Sequence, residues 1–233
     1  MKTPGIGLPF DKLREECGVF GIYGDDEAAN LAYLGLHALQ HRGQEGAGIV
    51  TSNGVELKSH LGLGLVGEVF GPEELKGLDG ACAGGHVRYS TTGESVARNV
   101  QPFVIRYKEG QVAIAHNGNL VNAAEIRSNL ETTGSIFNTS SDTEVILHLL
   151  ATSNQQTFIN RLVDALAQVK GAYSLVLMTA NRLVAVRDPL GIRPLVMGTR
   201  GDAVVFASET CALDLIDGVY EREVEPGEMV IVD

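Results

Sequence analysis

Residues 17–22 read Cys17-Gly18-Val19-Phe20-Gly21-Ile22, a thiol followed by β-branched and aromatic side chains set between glycines. Such a run predicts a short buried strand. What precedes it is polar and turn-rich: Pro4, Gly5, Gly7 and Pro9, then the charged stretch from Asp11 to Glu16. The packed domain is therefore expected to begin at Cys17, with residues 1–16 as a leader. A cysteine beside apolar residues is ordinarily a small core hydrophobe. A second reading exists here. Cut behind Glu16, Cys17 would carry both a thiol and a free α-amine. With a pKa of about 7.7–8.0, that amine can accept the thiol proton near neutral pH.

Downstream, Asp25 or Asp26 can cap a helix with Ala28, Leu31, Leu34 and Ala38 at helical spacing, ending near Gly43. Asn53-Gly54 between residues 48–51 and 55–61 predicts a two-residue hairpin. A short helix is expected from Pro72, a strand over 81–89 and a loop over 90–99, then a second hairpin from 100–107 and 111–116. Residues 119–131 read as a helix, which puts His116-Asn117-Gly118-Asn119 at a strand-to-helix corner. Ser141-Asp142-Thr143-Glu144 has the form of a capping box. Phe158, Leu162, Ala165, Leu166 and Val169 mark another helix, stopped by Gly171. The remainder is strand-like, over 172–179, 183–186, 195–198, 204–207 and 229–232. Hairpins on either side of a central helix block predict one α+β domain with antiparallel sheets and helices on their outer faces.

Composition narrows the partners. The 233 residues carry 29 acidic against 18 basic side chains, a formal charge of −11 without a basic cluster. Nucleic acid and anionic membrane are thus disfavoured. Cys17, Cys82 and Cys211 lie far apart, so neither a zinc site nor a disulfide framework is signalled, and a cytoplasmic setting fits. No apolar run approaches the ~18 residues of a membrane span, and the leader has no secretory apolar core.

Several polar residues carry chemistry. Arg88 closes a strand, where a guanidinium can grip a carboxylate with two parallel bonds. Asp142 can accept from an ammonium. Alone, each has a bland reading, as a solvated strand end and a helix-dipole partner. At the corner, the Asn117 amide and the Gly118 N–H would lie side by side, ready to donate to an oxygen in a tetrahedral intermediate. His41, His86 and His116 raise a Cys–His dyad as a rival. The local signatures of thiol proteases are absent, so the histidines are read as structural. The glycines of residues 62–71 match no phosphate-binding loop.

Five motifs occur in one order: Cys17-Gly18-Val19-Phe20-Gly21, His41-Arg42-Gly43-Gln44-Glu45, Arg88-Tyr89-Ser90-Thr91, His116-Asn117-Gly118-Asn119 and Ser140-Ser141-Asp142-Thr143-Glu144. In this the chain resembles class II glutamine amidotransferases of the N-terminal-nucleophile hydrolase type. Asn99-Val100-Gln101-Pro102-Phe103 and the stretch from Ala207 to Asp214 narrow the likeness to the amidophosphoribosyltransferase branch, which opens purine synthesis. The resemblance spans residues 17–233 and implies a four-layer αββα sandwich that hydrolyses glutamine. It implies Cys17 as nucleophile and Asn117 with Gly118 as oxyanion hole. Arg88 and Asp142 would hold the α-carboxylate and α-ammonium, with Arg42, Gly43 and Thr91 completing the glutamine pocket. The branch's phosphoribosyltransferase half, the ammonia acceptor, has no counterpart motif here. An iron–sulfur cluster or magnesium would belong to that half, since a cluster needs four thiolates and three scattered cysteines do not supply them. A homo-oligomer is compatible with the likeness. Two alternatives are a sibling amidotransferase making glucosamine 6-phosphate or asparagine, and an unprocessed, inactive binding module.

Overall fold

In the computed structural model, which describes residues 17–89 and 97–233, the opening stretch forms strand β1 (Gly18–Tyr23). The leader 1–16, Thr91 and most of the 90–99 loop lie outside the described residues. Phe20 and Ile22 point to one face of β1 and Val19 to the other, and all three are fully buried. A strand covered on both faces must sit inside a layered fold. Burying a side chain of this size contributes about 1.5–3 kcal/mol, so the opening strand is fixed from both sides.

Helix α1 (Ala28–Ala38) follows, then β2 (Gly46–Ser52), β3 (Leu57–Leu63) and two short helices, α2 (Val66–Val69) and α3 (Pro72–Lys76). Strands β4 (Cys82–Arg88), β5 (Phe103–Tyr107) and β6 (Gly110–Leu120) lead to α4 (Ala123–Thr132), α5 (Thr143–Thr152) and α6 (Phe158–Leu166). The chain ends with β7 (Gly171–Thr179), β8 (Arg182–Arg187), β9 (Val196–Arg200), β10 (Ala203–Ala207), α7 (Cys211–Leu215), β11 (Val219–Glu223) and β12 (Met229–Val232).

These strands form a seven-stranded sheet, β11-β9-β10-β1-β4-β2-β3, and a five-stranded sheet, β12-β8-β7-β6-β5. All pairings are antiparallel. Three apolar layers separate four structural ones. Phe20, Ile22, Leu36 and Ile49 fill the space between α1 and the first sheet. Val19, Val50, Ala115, Val176 and Phe206 lie between the sheets. Ile114, Val145, Leu150, Leu162 and Leu175 join the second sheet to α5 and α6. The result is the expected αββα sandwich. Among the described residues no helix is long and apolar enough to cross a membrane.

Three local expectations are corrected. The hairpin at Asn53-Gly54 closes on a four-residue loop, because Ser52 pairs with Leu57 and the Asn53 side chain accepts from the N–H groups of Val55 and Glu56 (both 3.1 Å). The chain does not turn into a helix at Asn117. Strand β6 continues through Leu120, paired with Gly171 of β7, and α4 starts only at Ala123. Gly118 makes this continuation possible: its φ is +154°, and a Cβ there would lie 2.1 Å from the Ala172 carbonyl oxygen. Only glycine lets the two backbones come so close. Finally, Glu144 does not reach back over the start of α5. Its carboxylate accepts from the N–H groups of Asn138 and Thr139 (both 2.8 Å), so it fastens the preceding loop instead.

Candidate active site

Strand parity brings the singled-out residues together. Cys17 shares its face with Val19, and across the ladder Val19 pairs with His86, so His86 and Arg88 face the other sheet as well. On β6, Asn117 shares the face of Ala113 and Ala115, which pack between the sheets. Cys17, Arg88 and Asn117 thus line the same inter-sheet space at the end of the sandwich where β1 begins. Asp142, just ahead of α5, closes that end. Its carboxylate accepts the Leu120 N–H at 2.8 Å and stands 3.7 Å from His116 Nδ1.

The Cys17 thiol lies 3.4 Å from both the N–H and the carbonyl oxygen of Tyr89, and no histidine bonds to it among the described residues. Burial pushes its pKa up, the Tyr89 N–H and the Arg88 charge oppose this, and the Asp142 charge adds to it. The sulfur is therefore held mainly as a thiol at neutral pH and needs a base to become a nucleophile. Arg42 donates from Nε to the Cys17 carbonyl at 3.1 Å and from Nη1 to Glu209. It thus holds the backbone at Cys17. Gly43 lies flat under the end of β4, where a Cβ would meet the Arg88 carbonyl carbon at 2.6 Å.

Arg88 is buried, and among the described residues only Nη1 of its guanidinium has a partner, the Asn99 carbonyl at 2.8 Å. Among those residues Nε and Nη2 have none. Both polar atoms of the Asn117 amide are also buried and, among the described residues, unpartnered. Buried polar groups are nearly always satisfied, and each exception costs about 1–3 kcal/mol. A cation with two spare donors and an idle amide in one space describe a site that awaits an anionic, hydrogen-bonding ligand.

The histidines serve as supports. His86 donates from Nε2 to the His116 carbonyl oxygen (3.1 Å), and burial together with Arg88 lowers its pKa to about 3. His116 Nδ1 lies 2.9 Å from the Thr143 hydroxyl, and burial lowers its pKa too. Both rings are therefore neutral at physiological pH. Sequence reasoning gave no role to Asn99, Gln101 or Thr143, yet these form the frame. Asn99 donates to the Ser140 hydroxyl (2.9 Å), and Gln101 donates to Thr143 Oγ1 (3.1 Å) and accepts the His116 N–H (2.8 Å). Through them the segment after Arg88 is tied to the loop that carries Asp142. The only sequence signal was their place in the quoted motifs, Asn99 and Gln101 in Asn99–Phe103 and Thr143 in Ser140–Glu144.

Comparison with known proteins follows this geometry. Residues 86–215 match the family described as Glutamine amidotransferase domain. The chain is 63% identical over 225 residues to amidophosphoribosyltransferase 2, chloroplastic, of Arabidopsis thaliana, covering 96% of this chain and 40% of that protein. It is 52% identical over 222 residues to amidophosphoribosyltransferase of Bacillus subtilis, covering 95% and 47%. Among solved structures, the glutamine phosphoribosylpyrophosphate amidotransferase of B. subtilis, complexed with ADP and GMP, superposes with a TM-score of 0.89 at 51% identity, over 93% of this chain and 47% of that one. The chain spans less than half the length of these relatives.

Proposed function

The chain belongs to the glutamine amidotransferase domain family, and from this premise we propose that it hydrolyses glutamine to glutamate and ammonia through a thioester on Cys17, as the ammonia-supplying part of an amidophosphoribosyltransferase. The observation that carries this reading is the joint placement of a protonated thiol, an arginine with two spare buried donors and an unpartnered amide. Arg88 takes the α-carboxylate of glutamine and Asp142 the α-ammonium, which orients the side-chain amide toward the sulfur. Gly43 and Arg42 complete the pocket, Arg42 by fixing the backbone of Cys17; Thr91, which the resemblance adds to them, lies outside the described residues.

The chemistry needs a base, and burial of the thiol makes that need acute. A free α-amine on Cys17 supplies it once residues 1–16 are removed. The amine takes the thiol proton, and sulfur attacks the amide carbon. The oxygen that gains charge is held by the Asn117 amide and the Gly118 N–H. As the C–N bond breaks, the ammonium passes its proton to the nitrogen and ammonia leaves. Water then adds to the thioester, glutamate departs and the thiol is restored. A phosphoribosyltransferase half is the proposed ammonia acceptor, and any iron–sulfur cluster or magnesium belongs with it. The three cysteines here are free, which suits a reducing compartment such as the cytosol.

The test is glutamate and ammonia release from glutamine by chains with and without residues 1–16. Turnover should require removal of the leader. Equal turnover by the uncut chain would overturn the amine as base. No turnover by the cut chain, with or without a phosphoribosyl acceptor half, would leave a binding module as the better reading.

A further inference from the structure

Outside the inter-sheet site, three ligand-bearing side chains from distant parts of the chain converge. His41 lies just beyond α1, Glu209 just before α7, and Cys211 opens α7. Their ligand atoms all lie within 4.8 Å of one another. His41 Nε2 is 3.0 Å from Glu209 Oε2, and Cys211 Sγ is 3.8 Å from the same oxygen. Around a tetrahedral zinc ion, Zn–S of about 2.3 Å and Zn–N or Zn–O of about 2.0–2.1 Å imply N···O near 3.3 Å and S···O near 3.5 Å. Both separations from the shared Glu209 oxygen therefore stand within a few tenths of an ångström of those that such an ion imposes, and the His41 and Cys211 ligand atoms lie within 4.8 Å of each other.

The hydrogen bonding points the same way. His41 Nδ1 faces the Ala38 carbonyl oxygen at 3.1 Å while Nε2 faces the carboxylate. A neutral imidazole has one N–H and can satisfy only one of these acceptors. With Nδ1–H on the carbonyl, the Nε2 lone pair faces negative oxygen, so a positive centre, either a proton or a metal ion, must stand between them. A backbone carbonyl holding the far nitrogen is also the usual support of a metal-bound histidine. The site is reachable: the His41 side chain is 56% exposed and that of Glu209 34%.

We infer that His41, Glu209 and Cys211 form a binding site for a borderline-soft divalent cation, Zn²⁺ foremost, with water as the fourth ligand. The nitrogen, oxygen and sulfur donor set selects zinc over magnesium or calcium, which take oxygen alone. Binding releases the Cys211 proton. Glu209 Oε1 already pairs with Arg42, so one carboxylate would join the ion to the guanidinium that holds the Cys17 carbonyl. The shared carboxylate and the nearby positive charge weaken the affinity relative to an all-cysteine centre.

The inference stands apart from glutamine hydrolysis and is tested without it. Zn²⁺ binding is measured by calorimetry on the full chain carrying Cys17→Ser, so that the active-site thiol cannot compete, and then with Cys211→Ser or His41→Ala added. Loss of an outer-shell partner alone costs about 10–100-fold, so losing a ligand should weaken binding at least about tenfold. One ion per chain, weakened in both variants, supports the site. Unchanged affinity in either variant, or no binding by the parent, overturns it. If the Cys211 variant does not fold, Co²⁺ added to the parent decides: a thiolate-to-cobalt charge-transfer band supports the site, and a spectrum of oxygen and nitrogen ligands alone rejects it.

Discussion

Replacing Asn117 by alanine should separate function from stability in opposite directions. The residue is fully buried and both amide atoms lack a partner among the described residues. Relieving one unsatisfied buried polar group returns about 1–3 kcal/mol. The truncation empties roughly 25 Å³, which at ~24 cal/mol per Å³ costs about 0.6 kcal/mol. The variant should therefore be as stable as the parent or more stable by up to about 2 kcal/mol. If the amide donates to the developing oxyanion, kcat should fall about 10²–10³-fold, or 2.7–4 kcal/mol of transition-state stabilisation. Urea unfolding and steady-state glutamine hydrolysis on the same preparation give both numbers. A loss of stability beyond about 1 kcal/mol would make Asn117 a structural residue and refute the reasoning. So would a kcat within about threefold of the parent.

Arg88→Ala should act mainly on KM, raising it about 10–150-fold for a lost charged hydrogen bond of about 1.5–3 kcal/mol, because the carboxylate contact is present before and during the reaction. An effect confined to kcat would contradict its placement. Gly118→Ala must place a methyl 2.1 Å from the Ala172 carbonyl oxygen at a φ of +154°. Backbone strain and overpacking of about 1–3 kcal/mol each should lower the melting temperature visibly, and an unchanged melt would mean that the β6–β7 contact is looser than described. Stability should also fall in acid. His86 is held at a pKa of about 3 by burial, so between pH 6.5 and about 3 the unfolded chain binds a proton that the folded chain refuses. That stability is present above pH 6.5 and is lost by up to about 1.4 kcal/mol per unit as pH falls through the window. His86→Gln should flatten the slope in urea midpoints measured across that range.

Most of the elements were legible because each has a local cause. Val19, Phe20 and Ile22 alternate into two cores, Pro72 starts α3 at its first position, and Gly171 ends the helix block. What escaped depends on partners far away in the chain. The charged, exposed run Val219–Glu223 becomes strand β11 only because β9 offers it an edge, and α7 was not anticipated at all. Asn117-Gly118 looked like a corner, whereas the pairing with Ser174 and Tyr173 keeps it in a strand. In the site, Cys17, Arg88, Asn117 and Asp142 were all named from sequence, each by its residue type and motif. The long-range pairings that support them were not. Asn99 reaches Ser140 across 41 residues and Arg42 reaches Glu209 across 167, and no local pattern encodes such a pairing.

The central claim is that Cys17 acts as a nucleophile only when it is the first residue. It is tested most directly by peptide mapping after exposure to a glutamine analogue whose side-chain amide is replaced by an electrophilic carbon. A chain that starts at Cys17 should acquire one adduct, on Cys17, and excess glutamine should prevent it. The chain that retains residues 1–16 should stay unlabelled over the same time. Equal labelling of both chains, or an adduct on Cys82 or Cys211 in place of Cys17, would contradict the account.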